Sequence, residues 1–396
     1  MPDPYRWLHP TLKTLYKANW YRQVQPVDSR SGPVVTVAGR EMVNLASNDY
    51  LGLASNEQVI AKAVAATQTY GTGATGSQLL SGHRPLHRQL EQAIAELKGT
   101  ADAIVFSSGY LANIGTIAAL VTHRDLILSD QYNHASIKNG ATLSGATALT
   151  YAHSNIDDLT EKLHQHRAAH RRCLILTDGV FGMDGDVCLL PQILDLGDRF
   201  EAMVMIDEAH SAGVLGKTGA GCLEHFGCGH RPVIQMGTLS KAFASLGGYV
   251  AGSAQLIDYL RNRAPSWIYT TGLSPADTAA AREAIACLQR EPHRLTRLHQ
   301  NAYALKTQLD QYIARDHSAA LRTCKRLPSD SAIVCLQVKD AATALNLGQQ
   351  LREQGIFASA VRPPTVPVSR LRFSIMATHT QDHIERLMAA LSQLTV

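Results

Sequence analysis

Six short apolar runs, separated by longer helix-like stretches, constrain this chain more than any other feature. They fall at residues 103–106, 126–129, 173–178, 203–207, 233–236 and 249–252. Each is continuous in apolar character instead of alternating, which is how strands buried on both faces of a parallel sheet read. The intervening segments, such as 112–121 and 157–166, carry helical patterns. Repeated βα units over roughly two hundred residues specify an open α/β sheet with helices on both sides. Ligands of such sheets bind beyond the carboxyl ends of the strands. Asp178, Asp207 and Lys241 fall at those ends.

The flanks differ in character. Residues 1–55 hold an early amphipathic helix and the apolar run 42–45. From residue 291 a long helix, 295–313, leads into strand–helix–strand material at 332–336, 341–354 and 371–375. The loop Arg362-Pro-Pro-Thr-Val-Pro is too proline-rich to be helical. The expected organisation is an N-terminal segment 1–55, a large α/β domain 56–290 and a small α+β C-terminal domain 291–396.

Composition narrows the class. With 396 residues, 45% of them hydrophobic, the chain can bury a large core in more than one domain. A net charge of +4 with both signs interspersed argues against a nucleic-acid or membrane partner. Seven cysteines without a C-x-x-C pair read as reduced thiols, and the start Met1-Pro-Asp-Pro-Tyr-Arg-Trp lacks a signal-peptide pattern. A cytoplasmic location is expected.

Two runs then supply the chemistry. Met236-Gly-Thr-Leu-Ser-Lys-Ala-Phe carries Lys241, and Ile206-Asp-Glu-Ala-His-Ser-Ala-Gly carries Asp207 and His210. An amine able to condense with an aldehyde, beside a carboxylate that can hold a protonated ring nitrogen, suits pyridoxal phosphate. His210 could contact the ring's phenolic oxygen, and His134 could stack on the ring. The run Phe106-Ser-Ser-Gly-Tyr-Leu-Ala-Asn passes from a strand into a helix, where Gly109 permits close approach and the helix N-terminus offers N–H groups to a phosphate. Thr238 and Ser240 could add hydroxyl donors.

Each feature has a plainer alternative: a solvated lysine, a helix cap, a turn glycine, a surface histidine. Their coincidence at one sheet edge favours a site. Cys222, His225, Cys228 and His230 go the other way, because their spacing matches no paired-ligand pattern and no metal is expected.

Across nearly its whole length the chain resembles the α-oxoamine synthases, fold-type I pyridoxal-phosphate enzymes that join an amino acid to an acyl thioester with loss of carbon dioxide. The likeness is carried by Ser47-Asn-Asp-Tyr-Leu-Gly-Leu, Gly71-Thr-Gly-Ala-Thr-Gly-Ser, Leu80-Ser-Gly-His-Arg-Pro-Leu-His and Gly179-Val-Phe-Gly-Met-Asp-Gly-Asp. The two chemical runs, Tyr269-Thr-Thr-Gly-Leu-Ser-Pro and Arg362-Pro-Pro-Thr-Val-Pro complete it. The resemblance implies the fold-type I PLP-dependent transferase fold, with a large mostly parallel sheet domain and a smaller α+β domain.

By position, the resemblance makes Lys241 the cofactor-linking residue, Asp207 the partner of the ring nitrogen and His210 the phenolic-oxygen contact. It makes His134 the stacking histidine, Gly109 and Tyr110 backbone contacts of the phosphate, and Thr238 a nearby hydroxyl. Thr270 and Thr271 match a segment that reaches the phosphate of the other subunit, implying a homodimer. Arg372, with Asn48, would hold the amino-acid carboxylate, and Arg22 and Thr365 match substrate contacts. Gly182 stands where the family pattern has a cofactor-side serine. The implied substrates are L-alanine and a pimeloyl thioester of coenzyme A or a carrier protein. Other amino-acid and acyl pairs within the family, an aminotransferase of the same fold and an inert partner subunit remain open. Intact Lys241, Asp207 and His134 argue against the last.

Overall fold

The structure, a computed structural model, describes residues 3–314 and 324–395. The chain divides into two compact units: Asp49–Gly182 with Asp186–Thr296, and Met1–Asn48 with Met183–Gly185 and Arg297–Val396.

The larger unit is built on a seven-stranded sheet. Its strands lie in the order Asp102–Phe106, Gly248–Gly252, Ile234–Thr238, Met203–Asp207, Cys173–Asp178, Leu126–Asp130, Thr147–Tyr151. The last five are mutually parallel. Gly248–Gly252 runs antiparallel to both of its neighbours. The cause is the loop 239–247, which is shorter than the dozen or so residues that a parallel crossover needs, so the chain turns straight back. Six strands are buried almost throughout, as their continuous apolar runs imply. Thr147–Tyr151 is the exception: it is an edge strand with mostly exposed residues, and its mixed composition, with threonine at positions 147 and 150, hides it in the sequence.

Helix Gly109–Leu120 lies against one face of this sheet, with Ile117 and Leu120 in a cluster that includes Phe106, Leu176, Met205, Met236 and Val250. Burying each such side chain stabilises the fold by roughly 1.5–3 kcal/mol. The helix begins earlier than the apolar pattern suggests, because Ser108 caps it by accepting the Leu111 N–H at 3.2 Å. Gly115 permits tight packing here, since a Cβ would sit 2.0 Å from Ser266 Oγ.

The smaller unit has two sheets. One is antiparallel, in the order Lys325–Arg326, Ile333–Gln337, Arg370–Ser374, Ser359–Val361. The other joins the hairpin Val34–Val37 and Arg40–Asn44 to the short strand Ile356–Phe357. Residues up to 48 therefore fold with the C-terminal part of the chain, tied by the Val43 N–H to Gly355 O and the Ser374 N–H to Leu45 O, each 2.8 Å. Among the described residues no helix is long and apolar enough to cross a membrane.

Candidate active site

Three adjacent parallel strands of the larger unit end in Asp178, Asp207 and Thr238. Asp178 and Asp207 are direct neighbours in register. Asp207 is buried and accepts from Asn113 Nδ2 at 2.7 Å and from the Ala209 N–H at 2.9 Å. Burial pushes the pKa of Asp178 well above the carboxylate range, and the charge of Asp207 adds to the rise. Lys241 and the His134 N–H, 3.1 Å from Asp178 Oδ2, act in the opposite direction.

His134 caps helix Ala135–Ser144 with its ring: Nδ1 lies 2.7 Å from Ser136 Oγ and accepts the Ser136 N–H at 3.3 Å. The residue is exposed, yet desolvation by the surrounding protein lowers the pKa of its ring. Asp207 opposes that shift, while Lys241 and Lys138 reinforce it. Tyr110 meets the ring edge-on at 6.5 Å.

Helix Gly109–Leu120 aims its N-terminus at the same strand edge. Ser108 serves the third N–H of the helix, and those of Gly109 and Tyr110 have no partner within it. A side chain at Gly109 would be crowded, since a Cβ would lie 3.1 Å from Thr238 Cβ. Gly248 is tighter still, since its Cβ would meet Gly109 Cα at 2.5 Å. Thr238 Oγ1 donates to Gly247 O at 2.9 Å and accepts the Ser240 N–H at 3.2 Å. These bonds hold the loop that presents half-buried Lys241. Thr271 is anchored by its carbonyl, which accepts from Ser107 Oγ at 2.8 Å, and by a bridge to Ser77. Thr270 precedes it and is half-buried.

The phenolic oxygen of Tyr50 lies 2.6 Å from Nδ1 of His210. On the other side, a Cβ at Gly182 would come within 2.4 Å of His210 Nε2. The histidine ring therefore fills the space beside Gly182.

In the smaller unit, buried Arg372 donates to Ser374 Oγ at 2.9 Å and to Asn48 Oδ1 at 3.1 Å. Arg22 donates to Thr365 Oγ1 at 2.8 Å. Each of these expected substrate pairs is brought together.

Sequence reasoning passes over Asn113, Ser136, Tyr50 and His153. Asn113 could have been noticed as a polar residue in an otherwise apolar helix. His153 bridges Asp130 Oδ1 and Asp186 Oδ2, both at 2.9 Å, and stacks on Tyr132 at 4.4 Å. Burial works against its charge, but the two carboxylates raise its pKa to about 10.

The residues fit pyridoxal phosphate in kind. An amine and an anchored carboxylate share one strand edge, and a helix N-terminus is kept clear of side chains by Gly109 and Gly248. Asp178 Oδ1 is buried there and lacks a hydrogen-bond partner among the described residues.

Comparison with known proteins agrees. The sequence pattern of the family described as aminotransferase class I and II matches residues 40–391. A protein of Nostoc punctiforme provisionally named 8-amino-7-oxononanoate synthase is 60% identical over 392 residues, covering 99% of this chain and 97% of that protein. One of the same provisional name from Trichormus variabilis is 60% identical over 395 residues, covering 100% of both. Among solved structures, a serine palmitoyltransferase from S. paucimobilis with PLP and myriocin bound superposes with a TM-score of 0.91. It is 28% identical and covers 99% of this chain and 98% of that one. An 8-amino-7-oxononanoate synthase from Francisella tularensis gives a TM-score of 0.72 at 29% identity, over 89% of this chain and 97% of that one. The chain belongs to the aminotransferase class I and II family and, within it, to the pyridoxal-phosphate-dependent α-oxoamine synthases.

Proposed function

We propose that the protein is an 8-amino-7-oxononanoate synthase of biotin biosynthesis. It joins L-alanine to a pimeloyl thioester of coenzyme A or a carrier protein, releasing carbon dioxide and the free thiol. The observation that carries this reading is 60% identity, over essentially the full length, to proteins of that provisional name.

Pyridoxal phosphate, when bound, supplies an electron-withdrawing ring attached to the amino acid. The larger unit serves as the cofactor domain. Lys241 Nζ would hold the cofactor and, as the amine beside the α-carbon of the bound amino acid, would take its proton. Asp207 would keep a proton on the ring nitrogen, His210 would serve the phenolic oxygen and His134 the ring face. The N–H groups of Gly109 and Tyr110 would serve the phosphate, joined by the hydroxyls of Thr238 and Ser240 only once these turn from Gly247 O, to which both donate in this structure. Gly182 contributes backbone alone. Arg372, steadied by Asn48, takes the alanine carboxylate, and Arg22 with Thr365 serves the acyl substrate. Thr270 and Thr271 act across a homodimer on the phosphate of the partner subunit. A cytoplasmic setting accords with seven buried cysteines, none of which forms a disulfide.

The stronger structural likeness to serine palmitoyltransferase favours a second reading, in which L-serine and a palmitoyl thioester are the substrates. A panel of amino acids and acyl thioesters, with products identified by mass, decides between them. Alanine with pimeloyl thioester should turn over fastest and yield 8-amino-7-oxononanoate. Faster turnover of serine with palmitoyl thioester, or of glycine with acetyl or succinyl thioester, overturns the proposal.

A further inference from the structure

Asn113 is 1% exposed on the sheet-facing side of helix Gly109–Leu120. Its side-chain nitrogen reaches two acceptors, Asp207 Oδ2 at 2.7 Å and Ser136 Oγ at 2.8 Å. Ser136 Oγ lies 2.7 Å from Nδ1 of His134. A continuous path thus runs from the carboxylate at one strand end to the imidazole that caps helix Ala135–Ser144.

Chemistry fixes the direction of every bond in this path. Both oxygens of Asp207 act as acceptors, one toward Asn113 and one toward the Ala209 N–H at 2.9 Å. The amide must therefore present its NH2 group, which has two hydrogens and no lone pair to offer. The first hydrogen goes to Asp207 and the second to Ser136 Oγ, which accepts. That leaves the hydroxyl hydrogen of Ser136 free for His134 Nδ1, and the backbone at Ser136 decides that it is used there. The Ser136 N–H also points at that nitrogen, at 3.3 Å. A ring nitrogen approached by two donors must keep its lone pair and cannot carry a proton.

We propose that Asn113 is a positioning residue which, through Ser136, holds His134 as a neutral imidazole with its proton on Nε2 while anchoring the Asp207 carboxylate. This deepens the proposed function, on whose assignment of His134 and Asp207 its catalytic meaning rests. One amide thereby sets the hydrogen-bonding state of two groups assigned to the cofactor ring. The charged groups around His134 are Asp207, Lys241 and Lys138, and Asp178 accepts its backbone N–H.

The test is nitrogen-15 NMR of histidine side chains in the full-length protein, with and without pyridoxal phosphate. A His134→Gln variant assigns the signal among the 17 histidines. The wild type should show His134 at pH 7.5 as a single tautomer, protonated on Nε2. Ser136→Ala removes the hydroxyl and should shift the tautomer ratio about tenfold towards Nδ1, the worth of one hydrogen bond. Asn113→Ala should do the same and should also move the absorption maximum of the bound cofactor, through Asp207. Should Asn113→Ala fail to fold, Ser136→Ala carries the test alone. A wild-type proton on Nδ1, or a ratio unmoved in Ser136→Ala or in folded Asn113→Ala, overturns the proposal. The substrate panel can fail while the tautomer result stands, in which case only the assigned reaction falls.

Discussion

Gly182 and His210 occupy one space: a Cβ on the glycine would lie 2.4 Å from Nε2 and 2.8 Å from Cδ2 of the imidazole. The position where the family pattern carries a serine is thus filled by a histidine ring, whose other nitrogen is 2.6 Å from the Tyr50 hydroxyl. Gly182→Ser must displace that ring. Because the clash is with the end of a side chain and not with backbone, the cost falls on the site. Unfolding free energy should change by no more than about 1 kcal/mol, while the affinity for pyridoxal phosphate falls several-fold. Titration of cofactor-free protein, followed by absorbance, measures it, and unchanged affinity would refute the steric argument.

Behind Asp207, Lys98 Nζ and Glu208 Oε1 form an ion pair at 3.1 Å, and neither side chain has any exposure. Glu208 Oε2 also accepts from Ser211 Oγ at 2.7 Å and from the Cys222 N–H at 2.8 Å. Glu208→Gln leaves the Lys98 ammonium buried without its counter-charge and should cost about 3–5 kcal/mol. Calorimetry should show a clearly lower melting temperature for Glu208→Gln, partly recovered in the double variant with Lys98→Met. A single variant as stable as wild type would contradict a buried charge.

The charge on His153 makes stability depend on pH. Its pKa stands at about 10 in the fold against an ordinary 6.5. Below the ordinary value both states hold the proton, and the stabilisation by Asp130 and Asp186 is complete. As pH rises the unfolded chain releases the proton first, so the contribution declines and is gone above the folded pKa. The melting-temperature gap between wild type and His153→Gln should therefore be widest near pH 6 and close towards pH 10. A gap that widens with pH would show that the histidine is neutral in the fold.

Hybrid dimers test the assignment of Lys241 and Thr271 to different subunits of one site. Lys241→Ala should lose activity together with borohydride-dependent labelling of the peptide that carries the lysine. Thr271→Ala should bind pyridoxal phosphate more weakly. Mixing the two variants should restore up to about a quarter of wild-type activity, because hybrids then contain one intact site. No recovery from a mixture shown to exchange subunits would count against shared sites.

What the sequence reveals follows burial. Cys173–Asp178 and Met203–Asp207 are legible because both faces are covered and their residues are almost uniformly apolar. Thr147–Tyr151 is illegible because an exposed edge strand has no such demand on composition. The reversal of Gly248–Gly252 is written only in the length of the loop before it. In the candidate site, Lys241, Asp207 and His210 announce themselves by residue type next to apolar runs. Asn113 and Tyr50 do not, since their meaning lies in partners 94 and 160 residues away. No local pattern encodes such distances.

The pairing of Arg40–Asn44 with Ile356–Phe357 has a consequence for how the protein is made. The first strand leaves the ribosome about 300 residues before its partner exists. At roughly 5–20 residues per second, it waits on the order of 15–60 s with one edge unpaired. An open strand edge is a template for any passing extended segment. The nascent chain must be shielded through that interval, and a transcript cut short before residue 355 yields a product that can never close this sheet.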